Sequence, residues 1–458
     1  MNKVISTPCG EIRGTDCRLD GVVAFKGIRY ATAGRWEYPQ VVKKWDGVYD
    51  ATEYGNCSFQ PRAFYDEAQM VAKAFYYNEF RKDEKYNYSE DCLFLNVWTP
   101  QTADENSKLP VIFYIHGGGF NGGCGFEKHF DGPVWPTKGV VAVTINYRMG
   151  PMGFVCLPEL TAEAGNSGNY GLFDQIAALQ WVRDNISAFG GNPDNITIMG
   201  QSAGAMSVSA LCLTPLTEGM FSKAVMSSAG GTGEAFPLKA TKDEMYPMWQ
   251  ATMEECGCAT LEEFRKVDPQ KLWDSWNIAK QKAGGTGFVT PVCVDGVLYP
   301  KSAPELIAEG SFKNIPYMIG STSHDLMSPF MFKMMKDWCV LQTEQGKQDS
   351  WCWMFDRNLP GDENGAWHSS DLWYWFGTLE NCWRPFEEKD YQLSDTLTDY
   401  LCNFAKTGNP NGEGLLEWTP TKTQADPVLC WGEGEIRMDQ VDMDRLKYIM
   451  ETFKPVGE

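Results

Sequence analysis

The most regular hydrophobic pattern lies in the middle of the chain. Three runs rich in β-branched and apolar residues, 111–115, 140–145 and 196–199, are predicted to be buried strands. Segments 171–188 and 203–213 carry helical patterns. Strands that alternate with helices usually build a mainly parallel sheet, so we expect an α/β fold with a central, mostly parallel sheet flanked by helices.

The flanking segments are less regular. Residues 4–98 are predicted to form short strands and a long aromatic loop, and residues 231–310 are mixed but mostly helical. Residues 326–355 carry several methionines and aromatic residues, which predicts a helical cap over a pocket because methionine adapts to varied ligands. No internal repeat or low-complexity tract divides the chain.

The composition limits the expected binding partners and the expected cellular compartment. A net charge of −20 over 458 residues argues against binding to nucleic acid or to anionic membrane surfaces. No apolar window long enough to span a membrane occurs, and the first residues lack the apolar stretch of a secretion signal. The fifteen cysteines are odd in number and scattered, unlike a metal site or a disulfide framework. We therefore expect a cytoplasmic protein with no metal and no cofactor.

A Gly-X-Ser-X-Gly turn carries the strongest chemical signal. Gly200 and Gly204 flank Ser202, with the predicted strand before the turn and the predicted helix after it. Such a sharp strand-to-helix turn lifts a serine hydroxyl out of a sheet and aims it into a pocket, at the positive end of the helix. Ser202 is therefore the candidate nucleophile.

A serine nucleophile needs a base, and a base needs an acid that orients it. Only four histidines are present, and His368 follows the serine in a loop of small residues. Asp325, after an apolar segment that ends in glycine, gives the chain order serine, acid, histidine that is typical of an α/β-hydrolase sheet. Asp371 is the competing acid, three residues after His368.

Donors for an oxyanion are expected from a glycine run. His116 to Gly119 follow the predicted strand 111–115, and consecutive glycines let N–H groups approach a substrate oxygen closely. Gly118, Gly119 and Ala203 would then form a hole of three donors.

Together these motifs resemble the type-B carboxylesterase family, which includes lipases of this type and the cholinesterases. The resemblance covers nearly the whole chain. Its stretches are 25–30, 90–97, 146–154, 168–175, 189–204 and 403–410. It implies a single α/β-hydrolase domain over residues 1–458 with helical cap insertions, in which Ser202, Asp325 and His368 form the triad. Aspartate replaces the family's usual glutamate at 325. Cys57 and Cys92 match positions that form a disulfide in secreted relatives.

Departures from the family pattern narrow the expected substrate. Gln201 is neutral where many relatives carry glutamate, and no tryptophan occupies 76–88, where cholinesterases hold their cation. Gln201, Phe120, Trp367 and Phe330 are expected to line the pocket.

We therefore expect a serine carboxylesterase, a monomer or homodimer, that hydrolyses short-chain or aryl esters rather than choline esters. An acyltransferase or amidase that uses the same acyl-enzyme, or a catalytically silent binding protein, are the alternatives.

Overall fold

A computed structural model describes residues 3–233, 238–283, 291–433 and 435–454. Its strands are β1 (Val4–Thr7), β2 (Gly10–Arg13), β3 (Thr15–Asp16), β4 (Val22–Arg29), β5 (Ala31–Thr32), β6 (Gln40–Val41), β7 (Val48–Asp50), β8 (Cys57–Ser58), β9 (Tyr88–Ser89), β10 (Phe94–Pro100), β11 (Leu109–Ile115), β12 (Val141–Ile145), β13 (Gly191–Gln201), β14 (Lys223–Ser227), β15 (Tyr317–Thr322), β16 (Ser350–Phe355), β17 (Val428–Trp431) and β18 (Ile436–Asp439).

The helices follow in the same chain order. They are α1 (Val71–Phe80), α2 (Gly150–Gly153), α3 (Pro158–Ala164), α4 (Tyr170–Asn185), α5 (Ala203–Leu213), α6 (Lys242–Glu255), α7 (Leu261–Arg265), α8 (Pro269–Lys282), α9 (Ala303–Ala308), α10 (Ser328–Glu344), α11 (Leu372–Phe376), α12 (Glu388–Thr407) and α13 (Met443–Thr452).

An eleven-stranded sheet organises the described residues, in the order β18-β17-β16-β15-β14-β13-β11-β12-β10-β4-β3. The central strands from β12 to β17 pair in parallel, and antiparallel strands close both edges. Because parallel strands point the same way, the carboxyl ends of β11, β13, β14 and β15 lie along one edge of the sheet. Residues that follow these strands are therefore brought close together.

Alternation along the strands separates two apolar cores. On β11, Phe113 and Ile115 face a core that receives α4, α5 and α10, whereas Ile112 and Tyr114 face a core that receives α11 and α12. The sheet is therefore covered by helices on both faces, which explains why its central strands are apolar at nearly every position.

Helices inserted between β14 and β15 form a third apolar cluster. Trp249 of α6 stacks on Trp276 of α8 with ring centroids 5.6 Å apart, and Trp273 packs edge-on against Trp276. These insertions agree with the mostly helical character predicted for residues 231–310.

The expectation of helix over 326–355 is only partly correct. Helix α10 ends at Glu344, near Gly346 with φ +64°, and Ser350–Phe355 is strand β16. β16 is buried at every position because it pairs with β15 on one side and β17 on the other. Its aromatic residues therefore belong to the sheet and not to a cap.

No helix in the described ranges is both long and apolar enough to cross a membrane. That residues 1–458 form a single domain stays a prediction.

Candidate active site

Ser202 lies at the turn between β13 and α5. Its backbone has φ +56° and ψ −128°, a strained conformation for a residue with a side chain. Its N–H donates to the Ser227 carbonyl at 2.9 Å, which ties the turn to the end of β14. A Cβ on Gly204 would lie 2.1 Å from the Ile115 carbonyl oxygen, and one on Gly200 would lie 2.3 Å from the Gly204 backbone. Both flanking glycines are therefore required for the turn to close.

His368 and Asp325 are in direct contact. The imidazole Nδ1 lies 2.6 Å from Asp325 Oδ1, and both side chains are buried. Asp325 is held in turn, since its Oδ1 accepts from the Leu326 N–H at 2.7 Å and its Oδ2 from the Thr322 hydroxyl at 3.1 Å. The carboxylate is thus fixed at the carboxyl end of β15 and faces the ring.

A short bridge brings the two loops together. His324, next to Asp325, donates its N–H to the Ala366 carbonyl at 3.0 Å, and its Nδ1 accepts from the Ala366 N–H at 3.3 Å. Because Ala366 lies two residues before His368, this pairing sets the distance between acid and imidazole. The histidine that adjoins the acid therefore has a positioning role that the sequence did not suggest.

The other imidazole nitrogen faces Gln201. Gln201 Nε2 lies 3.2 Å from His368 Nε2. An imidazole that donates from Nδ1 to a carboxylate has an acceptor at Nε2, so in this tautomer the amide donates to it. Both nitrogens of the ring are therefore held by buried side chains.

The glycine loop after β11 lines the same cavity as Ser202. Gly118 and Gly119 have φ +102° and +64°, and a Cβ on Gly118 would lie 2.0 Å from the Gly122 carbonyl oxygen. Within the described residues, neither N–H donates to a protein acceptor. Ala203, at the start of α5, lines the cavity too, so three expected donor positions meet there.

Asp371, the competing acid, lies elsewhere. Its Oδ2 accepts from the Ser227 hydroxyl at 2.7 Å and from Trp375 Nε1 at 3.1 Å. Burial, with the Asp325 charge adding, raises the pKa of this carboxyl to about 6, although the hydrogen bond from Ser227 opposes the shift. Asp371 acts on His368 only through its charge and makes no hydrogen bond to the ring.

The cavity has a volume of about 750 Å³. Of the four expected pocket residues, Gln201 lines it. Phe120 lines a smaller cavity, and Met206 lines both cavities. Trp367 is fully buried behind the wall against Phe75, Tyr76 and Phe80, and Phe330 is 56% exposed on α10.

These corrections have one cause. Met327, just before α10, and Met331 on α10 line the cavity, whereas Phe330 points outward, because successive helical positions point in different directions. The same holds for the aromatic residues around His368: Trp373, Tyr374, Trp375 and Phe376 fill the core beside α12.

Helix α1 supplies a wall that the sequence did not reveal. Residues 71–80 lie in a segment predicted to be a loop, yet Tyr76 and Phe80 line the cavity, and the Tyr76 hydroxyl donates to the His368 carbonyl at 3.3 Å. The hydrophobic pattern of this helix is weak because one of its faces contacts a cavity instead of a core.

Metal-ligand clusters and disulfides are absent from the described residues. No group of three or more histidine, cysteine, aspartate or glutamate side chains there could hold a metal ion. Cys57 and Cys92 are free thiols, and Cys57 packs with Cys124 and Phe126.

Comparison with known proteins identifies the family. The model of the Carboxylesterase family matches residues 1–353 and 327–446. The chain belongs to the carboxylesterase family. The para-nitrobenzyl esterase of Bacillus subtilis (strain 168) is 32% identical over 90% of this chain and 92% of the relative. Liver carboxylesterase 1 of Mus musculus is 34% identical over 94% and 89%.

Solved structures agree with this assignment. A PNB esterase superposes with a TM-score of 0.80 at 28% identity, covering 98% of this chain and 99% of that one. An esterase from Clostridium hathewayi, reported to hydrolyse aliphatic aromatic polyesters, gives a TM-score of 0.81 at 28% identity, covering 98% and 97%. The carboxylesterase fold here is thus the expected α/β-hydrolase fold, and the enzyme is a carboxylic ester hydrolase.

The environment of His368 determines its titration. Burial is the largest effect and disfavours the charged ring, but the charge and hydrogen bond of Asp325, with Asp371 adding, together outweigh it and raise the pKa above the ordinary 6.5. A raised folded-state pKa means that this interaction stabilises the fold fully below the unfolded pKa and loses its contribution as pH rises through the folded pKa.

We expect Asp325→Asn to lower the pKa of His368 below its wild-type value, because the cost of burial remains while the nearest negative charge is removed. NMR titration of the His368 ring signal measures this pKa. Asp371→Asn is the matched control and should lower the pKa less, since that carboxyl does not bond to the ring. A wild-type value retained in Asp325→Asn would contradict the assignment.

Proposed function

We propose that this carboxylesterase works through a covalent acyl-enzyme on Ser202, with His368 as general base and then general acid. Asp325 orients the ring, and the N–H groups of Gly118, Gly119 and Ala203 bind the oxyanion. The observation that carries the proposal is the 2.6 Å contact of His368 with Asp325 at the cavity that Ser202 also lines. The strained backbone at Ser202 supports it, since such strain is typical of this nucleophile.

The proposed reaction has two halves. The Ser202 hydroxyl attacks the ester carbonyl while His368 takes its proton, and the negative charge that develops on the carbonyl oxygen is stabilised by the three N–H groups. His368 then protonates the leaving alcohol. Water, deprotonated by the same ring, hydrolyses the acyl-enzyme and restores Ser202. No metal or cofactor takes part in this scheme.

We further propose short-chain or aryl esters as substrates. Tyr76, Phe80 and Phe130 line the cavity and offer aromatic faces for stacking and burial of apolar area. Its volume lies within the range usual for small-molecule sites. The name of the para-nitrobenzyl esterase relative gives a benzyl ester, whose alcohol part carries an aromatic ring, and this favours substrates with an aromatic group here. A cytoplasmic location and a monomeric or homodimeric state are proposed on the sequence alone.

Ser202→Ala should fold and bind esters but lose turnover, by on the order of 10⁶ in kcat, because triad members act as a unit. Hydrolysis of 4-nitrophenyl butyrate measures the loss, and a phosphonate probe should label Ser202. Ser228→Ala is the matched control: this serine also lines the cavity, its hydroxyl has no hydrogen-bond partner among the described residues, and its loss should be nearly silent. Retention of a tenth of wild-type activity by Ser202→Ala would rule out the proposed nucleophile.

Asp325→Asn should lower kcat by up to about 10⁴ with little change in KM, because the ring is then held in the wrong tautomer. Asp325→Glu should be milder, since it restores the acid usual in the family. Steady-state kinetics of these two variants and of Asp371→Asn shows which carboxylate orients His368. If Asp371→Asn lost most of its activity while Asp325→Asn stayed nearly normal, Asp371 would be the acid that orients His368.

A panel of esters tests the proposed substrate class. We expect kcat/KM to be high for 4-nitrophenyl acetate and butyrate and low for long-chain triglycerides. Acetylcholine should gain nothing over its neutral isostere 3,3-dimethylbutyl acetate, because Gln201 is neutral and no tryptophan lines the cavity in the described residues. A tenfold or greater preference for the choline ester would overturn the proposal.

A further inference from the structure

One face of α1 extends the cavity wall away from His368. Lys73, Tyr76 and Phe80 all line the cavity, and their spacing of three and four residues puts them on the same side of the helix. Tyr76 is tied to the His368 carbonyl. Lys73 lies three residues before Tyr76, a rise of about 4.5 Å along the helix. Lys73 is exposed and lines the cavity, so it lies at the rim of the wall that Tyr76 joins to the His368 loop.

The carboxylates near Lys73 are already engaged by arginines. Arg62 donates to Glu127 Oε1 at 2.7 Å, and Arg81 donates to both oxygens of Glu67 at 2.8 and 3.2 Å. Arg81 also lies 3.5 Å from Glu127 Oε2. Each oxygen of both glutamates thus faces a guanidinium.

The remaining titratable groups on this wall do not offset the cations. Burial lowers the pKa of His116 to about 4 and that of His129 to about 3, so both rings are neutral at neutral pH. Among the described residues that line the cavity, the formal charges outside the His368 site are three cations, Arg62, Lys73 and Arg81, and two carboxylates. The local sign is positive in a chain whose net charge is −20.

Among the charged groups of this wall, unused donors lie on Lys73 and Arg62. The Lys73 amine has no hydrogen bond or salt bridge within the described part of the chain, and its pKa is lowered first by burial, with Arg81 and Arg62 adding and Glu67 opposing. Lys73 is nonetheless exposed to solvent at the rim of the cavity. On Arg62, Nε and Nη2 are buried without a partner in the described residues.

We propose that this wall, Lys73 backed by Arg62 and Arg81, binds a carboxylate or other anionic group in the alcohol part of the substrate. The alcohol part is indicated because His368 protonates the leaving oxygen, and α1 is attached to the His368 side of the cavity through Tyr76. A substrate anion at this wall can pair with the Lys73 amine without breaking an existing ion pair. The inference rests on the proposed function and refines its substrate class to aryl esters with an acidic substituent.

The test uses two acetyl esters of the same shape, 4-acetoxybenzoate, which is anionic, and 4-acetoxybenzamide, which is neutral. Lys73→Met should lower kcat/KM for the benzoate about fivefold, the scale of one solvated ion pair, and change that for the benzamide less than twofold. Lys73→Arg should keep most of the benzoate activity. Added salt should lower the wild-type benzoate rate selectively.

Lys406→Met is the matched control, because it removes the same charge from an exposed position on α12, outside the cavity lining. It should leave the ratio of the two esters at the wild-type value. The benzamide serves as an internal check on folding of each variant.

Equal losses for both esters in Lys73→Met, or an unchanged ratio, would overturn the anion site while the esterase proposal stands. Failure of the wild-type enzyme on both esters and on 4-nitrophenyl butyrate, or full activity of Ser202→Ala, would overturn the proposed function instead. The two failures are therefore distinguishable.

Discussion

A Cβ atom on Gly204 would lie 2.1 Å from the carbonyl oxygen of Ile115, so α5 rests directly against the end of β11. This contact places two parts of the site at once. Ser202 lies at the start of α5, and the glycine loop begins where β11 ends. The proposed nucleophile and the proposed oxyanion donors are thus positioned by one backbone approach, and the strained φ of Ser202 persists because the surrounding strands determine it.

The acid and the base are held by a second set of contacts. Asp325 is fixed at the end of β15 by its own loop, whereas His368 belongs to a loop outside the sheet. The pairing of His324 with Ala366 joins these loops, and Gln201 holds the ring from the Ser202 side. In the proposed reaction Nε2 must exchange the Gln201 amide for the Ser202 hydroxyl before it can take the proton, while the bond to Asp325 keeps the ring oriented.

Which side chains in the cavity carry a charge depends on whether each has a partner of opposite charge. Burial alone would favour neutral forms, and it does so for His116 and His129. Arg62 and Glu127 stay charged because they face each other, and burial of Glu127 is outweighed by Arg62 and Arg81, which lower its pKa to about 2. Lys73 has no hydrogen bond or salt bridge to a carboxylate in the described residues, and its charge leaves this wall with a net positive sign.

The sequence predicted the candidate site residues and the chain order of the elements. The strands around 111–115 and 196–199, the helix 203–213 and the Ser202 turn are local patterns, since β-branched runs and glycine spacing depend on nearby residues alone. The choice of Asp325 over Asp371 followed from chain order, and its contact with His368 agrees. What only the tertiary structure decided is which side chains face the cavity. Trp367 and Phe330 are both large aromatic residues near the catalytic motifs, so the sequence alone provided no reason to leave either out of the pocket. Trp367 is buried behind the cavity wall and Phe330 is exposed on the surface, because the direction of a side chain depends on how its element packs.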